Sequence, residues 1–159
     1  MPTSLEIARS FAASMLDDSV YGCAVDERLR VHGLRPTKQR LALARLIFAQ
    51  GHRHIAAEDL HEEALRADVG VSLATVYNTL HQFTAAGLLR IIAVEGAKTW
   101  FDTNISDHHH FYLEHEGRVV DIPETGQGQP TIANLPTPPE GLEIVNVDLI
   151  VRLRPRQSH

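Results

Sequence analysis

The sequence predicts an α+β chain in two parts: a helical N-terminal half closed by a two-stranded hairpin, then a small C-terminal α/β half built on a three-stranded antiparallel sheet. Three observations predict it. Apolar residues recur at helical spacing through the first half of the chain. Capping residues and glycines punctuate those segments at the expected places. Beyond Ile105 the pattern changes to short strand-like runs separated by prolines. The division falls at residues 1–103 and 104–159.

Residues 1–20 are expected to form an N-terminal arm or helix, with an amphipathic segment from Ser4 to Leu16. A helix over about Val25 to His32 stops at Gly33. Thr37 can cap the next, with Leu41, Ala44, Ile47 and Phe48 on its buried stripe and Gly51 ending it. Another spans about Ala56 to Ala67 around Leu60 and Ala64. Ser72 caps the last, which closes at Gly87. There Leu73, Val76, Leu80 and Phe83 make one buried face, leaving Ala74, Thr75, Tyr77, Asn78, His81 and Gln82 mainly outward. That outward face is uncharged, short-chained and rich in hydrogen-bonding groups, which suits a helix lying in the major groove of DNA. Two short strands follow, Leu88 to Val94 and Thr99 to Asp102, joined at Glu95-Gly96-Ala97-Lys98. Helix, helix and two-stranded wing make a winged-helix domain, so residues 1–103 read as DNA-binding.

The second half predicts strands at His108 to Glu114, Arg118 to Ile122 and Leu142 to Leu153. Between the last two, Pro123, Pro130, Pro136, Pro138 and Pro139 rule out a helix and mark an irregular connection. A sheet this small has exposed edges and little core, and pairing with a second copy of the chain is the natural remedy.

Composition bounds the function. The chain has 159 residues, of which 43% are hydrophobic, enough for a real core. No stretch is apolar long enough to span a membrane, and Met1 to Asp18 lacks the pattern of a secretory signal, so a cytoplasmic protein is expected. Cys23 is the only cysteine, which excludes an internal disulfide and a cysteine-based zinc site within one chain. A net charge of −5 argues against indiscriminate binding to polyanions. The charge is segregated, however: Arg28, Arg30, Arg35, Lys38, Arg40, Arg45 and Arg53 follow one another without an intervening acid. Such a block is either a solvated helix face or, beside a reading helix, a phosphate-contacting surface.

The triplet His108-His109-His110 carries the chemistry. Alternation along a strand places His108 and His110 on one face and His109 on the other. With a turn near Glu116-Gly117, Asp121 falls opposite Tyr112 and diagonal to His110 on that same face. Two imidazoles and a carboxylate suit zinc, iron or manganese better than calcium or magnesium. The plain alternative is a surface histidine cluster that holds no ion.

These residues also carry a resemblance that covers nearly the whole chain. Gly33-Leu34-Arg35-Pro36-Thr37-Lys38-Gln39-Arg40, His54, Ala57-Glu58-Asp59-Leu60 and Val71-Ser72-Leu73-Ala74-Thr75-Val76-Tyr77 with Gly87-Leu88 resemble the ferric-uptake-regulator (Fur) family of dimeric, metal-responsive bacterial repressors. Val76-Tyr77-Asn78-Thr79-Leu80, Phe101-Asp102-Thr103-Asn104, the histidine run and Val151-Arg152-Leu153-Arg154 look like its iron-response-regulator (Irr) branch.

The resemblance implies a regulatory site for Fe(II), Mn(II) or Zn(II) made by His54, Glu95, His108, His110 and Asp121, with ligands from both halves. It implies haem as a second regulatory ligand, with His108, His109, His110 and Cys23 as the candidate residues. Branch members with an N-terminal Cys-Pro haem motif differ here, because Ala24 follows Cys23. It implies a homodimer on double-stranded operator DNA, contacted by Arg35, Lys38, Arg40, Ser72, Thr75, Tyr77 and Asn78. The chain departs from the family pattern at several places. Leu113 and Glu116 stand where many members carry Cys-x-x-Cys for a structural zinc, and Val147 stands where a further site has its histidine, although Asp107 and His109 remain. Asn78 replaces the usual arginine of the reading helix, and the proline-rich stretch replaces a helix of the dimerisation half.

The expectation is a dimeric iron-responsive transcription regulator, not an enzyme, controlled by haem, a divalent metal or both. Its alternatives are the same machine sensing zinc, manganese or peroxide, a small metal-dependent hydrolase, and a haem or metal buffer that does not bind DNA.

Overall fold

Four helices and six short strands are built over residues 18–124, 126 and 128–157, the part of the chain that the computed structural model describes. The amphipathic segment from Ser4 to Leu16 lies outside the described residues. The chain divides into two units. One holds the described residues up to Ile92 together with Lys98–Ile105, and the other holds Ala93–Ala97 and the described residues from Ser106 onward. No helix among the described residues is long and apolar enough to cross a membrane.

In the first unit, α1 (Asp18–Val31) buries Val25 and Leu29, one turn apart. Gly33, at a φ of 74°, ends it in the left-handed region, and the Leu34 N–H returns to the Leu29 carbonyl at 2.9 Å. Helix α2 (Lys38–Phe48) starts where the Thr37 hydroxyl accepts from the Arg40 N–H, and it buries Leu43, Ala44, Ile47 and Phe48. Helix α3 (Ala57–Arg66) has no side-chain cap. Glu58 and Asp59 in its first turn face the positive end of its dipole instead. Helix α4 (Leu73–Ala85) is capped by Ser72, whose Oγ accepts from the Thr75 N–H at 3.1 Å. Its buried stripe is Val76, Thr79, Leu80 and Phe83, whereas Leu73 is exposed. Thr79 can sit inside because its hydroxyl donates to the Thr75 carbonyl at 2.8 Å, leaving only its methyl to pack.

The helices close over a sheet with one more strand than the sequence predicts. Strand β1 (His54–Ala56), β2 (Arg90–Ile92) and β3 (Trp100–Asp102) run in the order β1-β3-β2, each pairing antiparallel. Ile55 of β1 and Phe101 of β3 are paired, and both join the buried core of Leu43, Ile47, Leu60, Leu80 and Phe83.

In the second unit, β4 (His110–Leu113) lies between β5 (Arg118–Asp121) and β6 (Ile150–Leu153). The sheet is mixed rather than antiparallel: β4 and β5 are antiparallel, but β6 runs parallel to β4. Asp121 ends β5 beside His110, and Ile150 opens β6 beside the same residue. The proline-rich connection therefore leaves and re-enters at one end of β4, which forces the last strand parallel. The expected strand from Leu142 shrinks to Ile150–Leu153, since residues 142–149 make no ladder.

Asp68 follows α3 at a φ of 55°, where only glycine sits without strain. Asp68→Gly is expected to raise stability by about 0.5–1 kcal/mol, seen as a higher urea midpoint at unchanged slope. A lower midpoint would mean that the Asp68 side chain stabilises this turn by more than the backbone strain costs.

Candidate functional site

The second unit brings the histidine run and Asp121 together. Because His110 and Asp121 are register partners, their side chains share a face, and Tyr112 pairs with Val119. The expected register, with Asp121 opposite Tyr112, is thus off by two residues, which keeps the same face, and the true one puts the carboxylate nearer the imidazoles. His110 Nε2 lies 3.3 Å and His108 Nε2 3.2 Å from the same oxygen, Asp121 Oδ1. The two rings are 4.5 Å apart between centroids. His108 Nδ1 lies 2.7 Å from the Ser106 carbonyl oxygen. A carbonyl only accepts, so Nδ1 is the donor of that bond, and Nε2 is the atom aimed at Asp121.

This donor set fits a transition-metal ion. Neighbouring ligands around an ion with bonds of about 2.0–2.2 Å stand roughly 3.0–3.5 Å apart at angles between octahedral and tetrahedral. The separations at Asp121 fall in that range. An Nδ1–H held by a main-chain carbonyl is also the outer-shell partner that orients a metal-binding histidine.

His109 is separate from this group. Its Nδ1 accepts from the Leu149 N–H at 3.3 Å, and it lines an open groove of about 330 Å³ with Asp107, Ile132, Leu135, Ile144 and Val147. Glu95 is exposed, and its carbonyl oxygen accepts from Arg152 at 3.3 Å. The Arg152 guanidinium stands 5.3 Å from the centre of the Tyr112 ring. Cys23 lies on α1, and its side chain is outside the described residues.

The first unit holds a second imidazole–carboxylate pair. His54 and Asp102 are register partners across β1 and β3, with His54 Nε2 3.5 Å from Asp102 Oδ2. Asp102 is buried, and its Oδ1 accepts from the Asn104 N–H at 2.8 Å. Sequence reasoning missed Asp102 as a ligand candidate because it missed β1. Without that strand, nothing places a carboxylate opposite His54.

On α4, Asn78 is exposed, while the other candidates for DNA contact are engaged to different degrees. The Thr75 and Ser72 hydroxyls lie 3.0 Å apart within the cap. Tyr77 is half-buried against the core and its hydroxyl donates to Glu58 of α3. That bond, together with burial and the neighbouring carboxylate charge, raises the Tyr77 phenol above its ordinary value. Arg35 and Lys38 are exposed. Arg40 spans three elements: Nε and Nη2 donate to Gln82 Oε1 of α4 at 3.2 and 2.8 Å, and Nη1 donates to the Arg35 carbonyl at 2.8 Å.

Residues 31–151 match the model of the ferric uptake regulator family, and the chain belongs to that family. It is 30% identical over 135 residues to the ferric uptake regulation protein of Pseudomonas aeruginosa, covering 83% of this chain and 98% of that one. It is 34% identical over 95 residues to the peroxide-responsive repressor PerR of Staphylococcus aureus, covering 59% of this chain and 63% of that one. Its fold matches the structure of the P. aeruginosa regulator with manganese at a TM-score of 0.62 and 25% identity, over 84% of this chain and 98% of that one. It also matches the Vibrio cholerae ferric uptake regulator at a TM-score of 0.63 and 22% identity, over 81% and 98%. Regulators of this family bind operator DNA as dimers with metal ions and are not enzymes, which removes the hydrolase alternative.

Arg40 is a brace for α4, so Arg40→Lys should behave like Arg40→Ala. One ammonium cannot replace a guanidinium fork shared between a side-chain amide and a main-chain carbonyl. Both variants are expected to lose about 1 kcal/mol in urea unfolding. Full stability in Arg40→Lys would show that charge alone is required.

Proposed function

We propose that this chain is an iron-responsive regulator that reads operator DNA with α4 as a homodimer, under control of a divalent ion held by donors from both units. The observation that carries this reading is the convergence of His108 and His110 Nε2 on one oxygen of Asp121. We place His54 and Asp102 in the same set, with Glu95 as a further, exposed carboxylate. Imidazole and carboxylate donors without thiolate favour Fe(II), Mn(II) or Zn(II), and supply and geometry choose among them. An ion held from both units supplies a common anchor for them, and so sets how α4 is presented to DNA.

On the DNA side, Thr75, Tyr77 and Asn78 are assigned to base edges, with Asn78 able to make a bidentate contact to adenine. Arg35 and Lys38 are assigned to phosphates or the minor groove, and Ser72 and Arg40 hold the helix that the others read from. The partner copy covers apolar surface that one chain leaves exposed, including Leu142 and Leu153.

The finer reading is haem control, as the Irr resemblance implies, and the apolar groove beside His109 favours it. Iron bonding through His109 Nε2 needs the proton on Nδ1, which now accepts from Leu149, so His109 enters only by losing that bond. Haem titration followed at the Soret band, on wild type, His109→Ala and Cys23→Ala, identifies the axial ligand. The absence of any saturable band in wild type would end the haem reading.

Mn(II) at a hundredfold excess over its Kd is expected to stabilise the protein by about 2.7 kcal/mol. Thermal melts should lose most of that shift in His110→Ala and Asp121→Ala, and less in Glu95→Ala. An equal shift in all three variants and in wild type would place the ion elsewhere.

Fluorescence anisotropy on a preferred and a scrambled duplex separates the DNA roles. Arg35→Ala should weaken both duplexes alike and lower the salt slope by about one. Asn78→Ala should instead shrink the difference between them. Identical behaviour of the two variants would overturn the division of labour.

A further inference from the structure

Tyr77 belongs to the outward half of α4, yet its hydroxyl is committed inward. It donates to Glu58 Oε1, while the other Glu58 oxygen is buried with no hydrogen-bond partner among the described residues. Lys98 Nζ donates to the neighbouring Asp59 at 2.7 Å and not to this oxygen. The carboxylate therefore depends on the phenolic proton more than an exposed one would.

Resting on the reading of α4 as the DNA-reading helix, we infer that Glu58 is a positioning residue for base recognition: by holding the phenolic proton it makes Tyr77 an acceptor-only group towards DNA. A phenol whose proton is held elsewhere still offers its oxygen lone pairs. In the major groove it can pair with the amino groups of adenine N6 and cytosine N4, and it meets only lone pairs at guanine O6 and N7 and thymine O4. A charge-assisted bond to a carboxylate is about twice as strong as a neutral one, so an arriving base acceptor does not pull the proton away. The raised phenol pKa has the same origin and sign, because the bond to Glu58 is its largest cause. The stability it contributes is complete below the ordinary phenol value of 10 and is lost as pH rises through the raised one.

Glu58 thus sets the polarity of readout without touching DNA. Asn78 faces no such restriction, since its exposed amide offers both donors and an acceptor.

The test uses the full chain with Mn(II), selected against a random duplex pool, followed by anisotropy on the winning duplex with each base pair substituted in turn. Tyr77→Phe should flatten preference at one base pair by on the order of tenfold. Glu58→Met keeps the side-chain length but removes the acceptor, and should relax the same pair so that amino-bearing and carbonyl-bearing bases are tolerated alike. Glu58→Gln keeps an acceptor oxygen and should retain the wild-type preference. In the Tyr77→Phe background Glu58→Met should have no further effect on preference, whatever it does to stability. Wild-type preference in Glu58→Met, or a change at other base pairs than Tyr77→Phe affects, would overturn the inference and leave α4 as the reading helix. A wild-type protein that selects no sequence at all would overturn both.

Discussion

In each unit one antiparallel register sets an imidazole against a carboxylate: His54 against Asp102 on β1 and β3, His110 against Asp121 on β4 and β5. The rest of the chemistry depends on those two registers. A one-residue slip in either would send the carboxylate to the opposite face of its sheet. Asp102 is almost fully buried, and a buried carboxylate is costly unless charge or hydrogen bonds compensate it. The Asn104 N–H and the His54 ring are among the groups that provide that compensation. Pairs of this kind are poor stabilisers and good ligands, which is the trade expected where function sets the residue.

The reading helix shows the same economy of placement. Its inner stripe of Val76, Thr79, Leu80 and Phe83 fixes its rotation, and Ser72 fixes where it begins. Arg40 ties its far side to the loop that carries Arg35, and Glu58 ties Tyr77 to α3. The residues assigned to DNA therefore fall into two groups. Asn78, Lys38 and the Arg35 side chain are exposed, whereas Ser72, Thr75, Arg40 and Tyr77 already have protein partners. A helix restrained at this many points presents its exposed groups at low entropic cost on binding.

Sequence legibility followed element length. The helices were readable because Thr37 and Ser72 are caps and Gly33 and Gly87 take positive φ at their ends. Strands of three or four residues carry too little alternation to be placed. So β1, hidden in the run from His52 to Ala56, went unseen, and with it the partnership that makes Asp102 a ligand candidate. The direction of β6 was unreadable for another reason. It depends on where an irregular, proline-rich connection ends, and no local pattern encodes that. Local chemistry misled at Tyr77, whose place on the polar face gave no hint that Glu58, nineteen residues earlier, holds its hydroxyl.

The turn between β4 and β5 shows what the chain does without thiolates. Leu113 ends β4 and Glu116 lies in the turn, at the two positions where the family resemblance implies a cysteine pair, and Glu116 accepts from the Arg118 guanidinium and lies 3.2 Å from His115. The Arg118 bond holds the Glu116 carboxyl below its usual pKa, so its contribution is present at neutral pH and lost as pH falls through that lowered value. The group is fully exposed, however, and exposed pairs of this kind contribute little. The second unit takes stability from the pairing of β4 with both its neighbours, and an ion held by His108, His110 and Asp121 would add to it. In the proposed reading, an ion that binds the folded sheet and not the unfolded chain stabilises it by mass action, so occupancy and sheet stability would rise together.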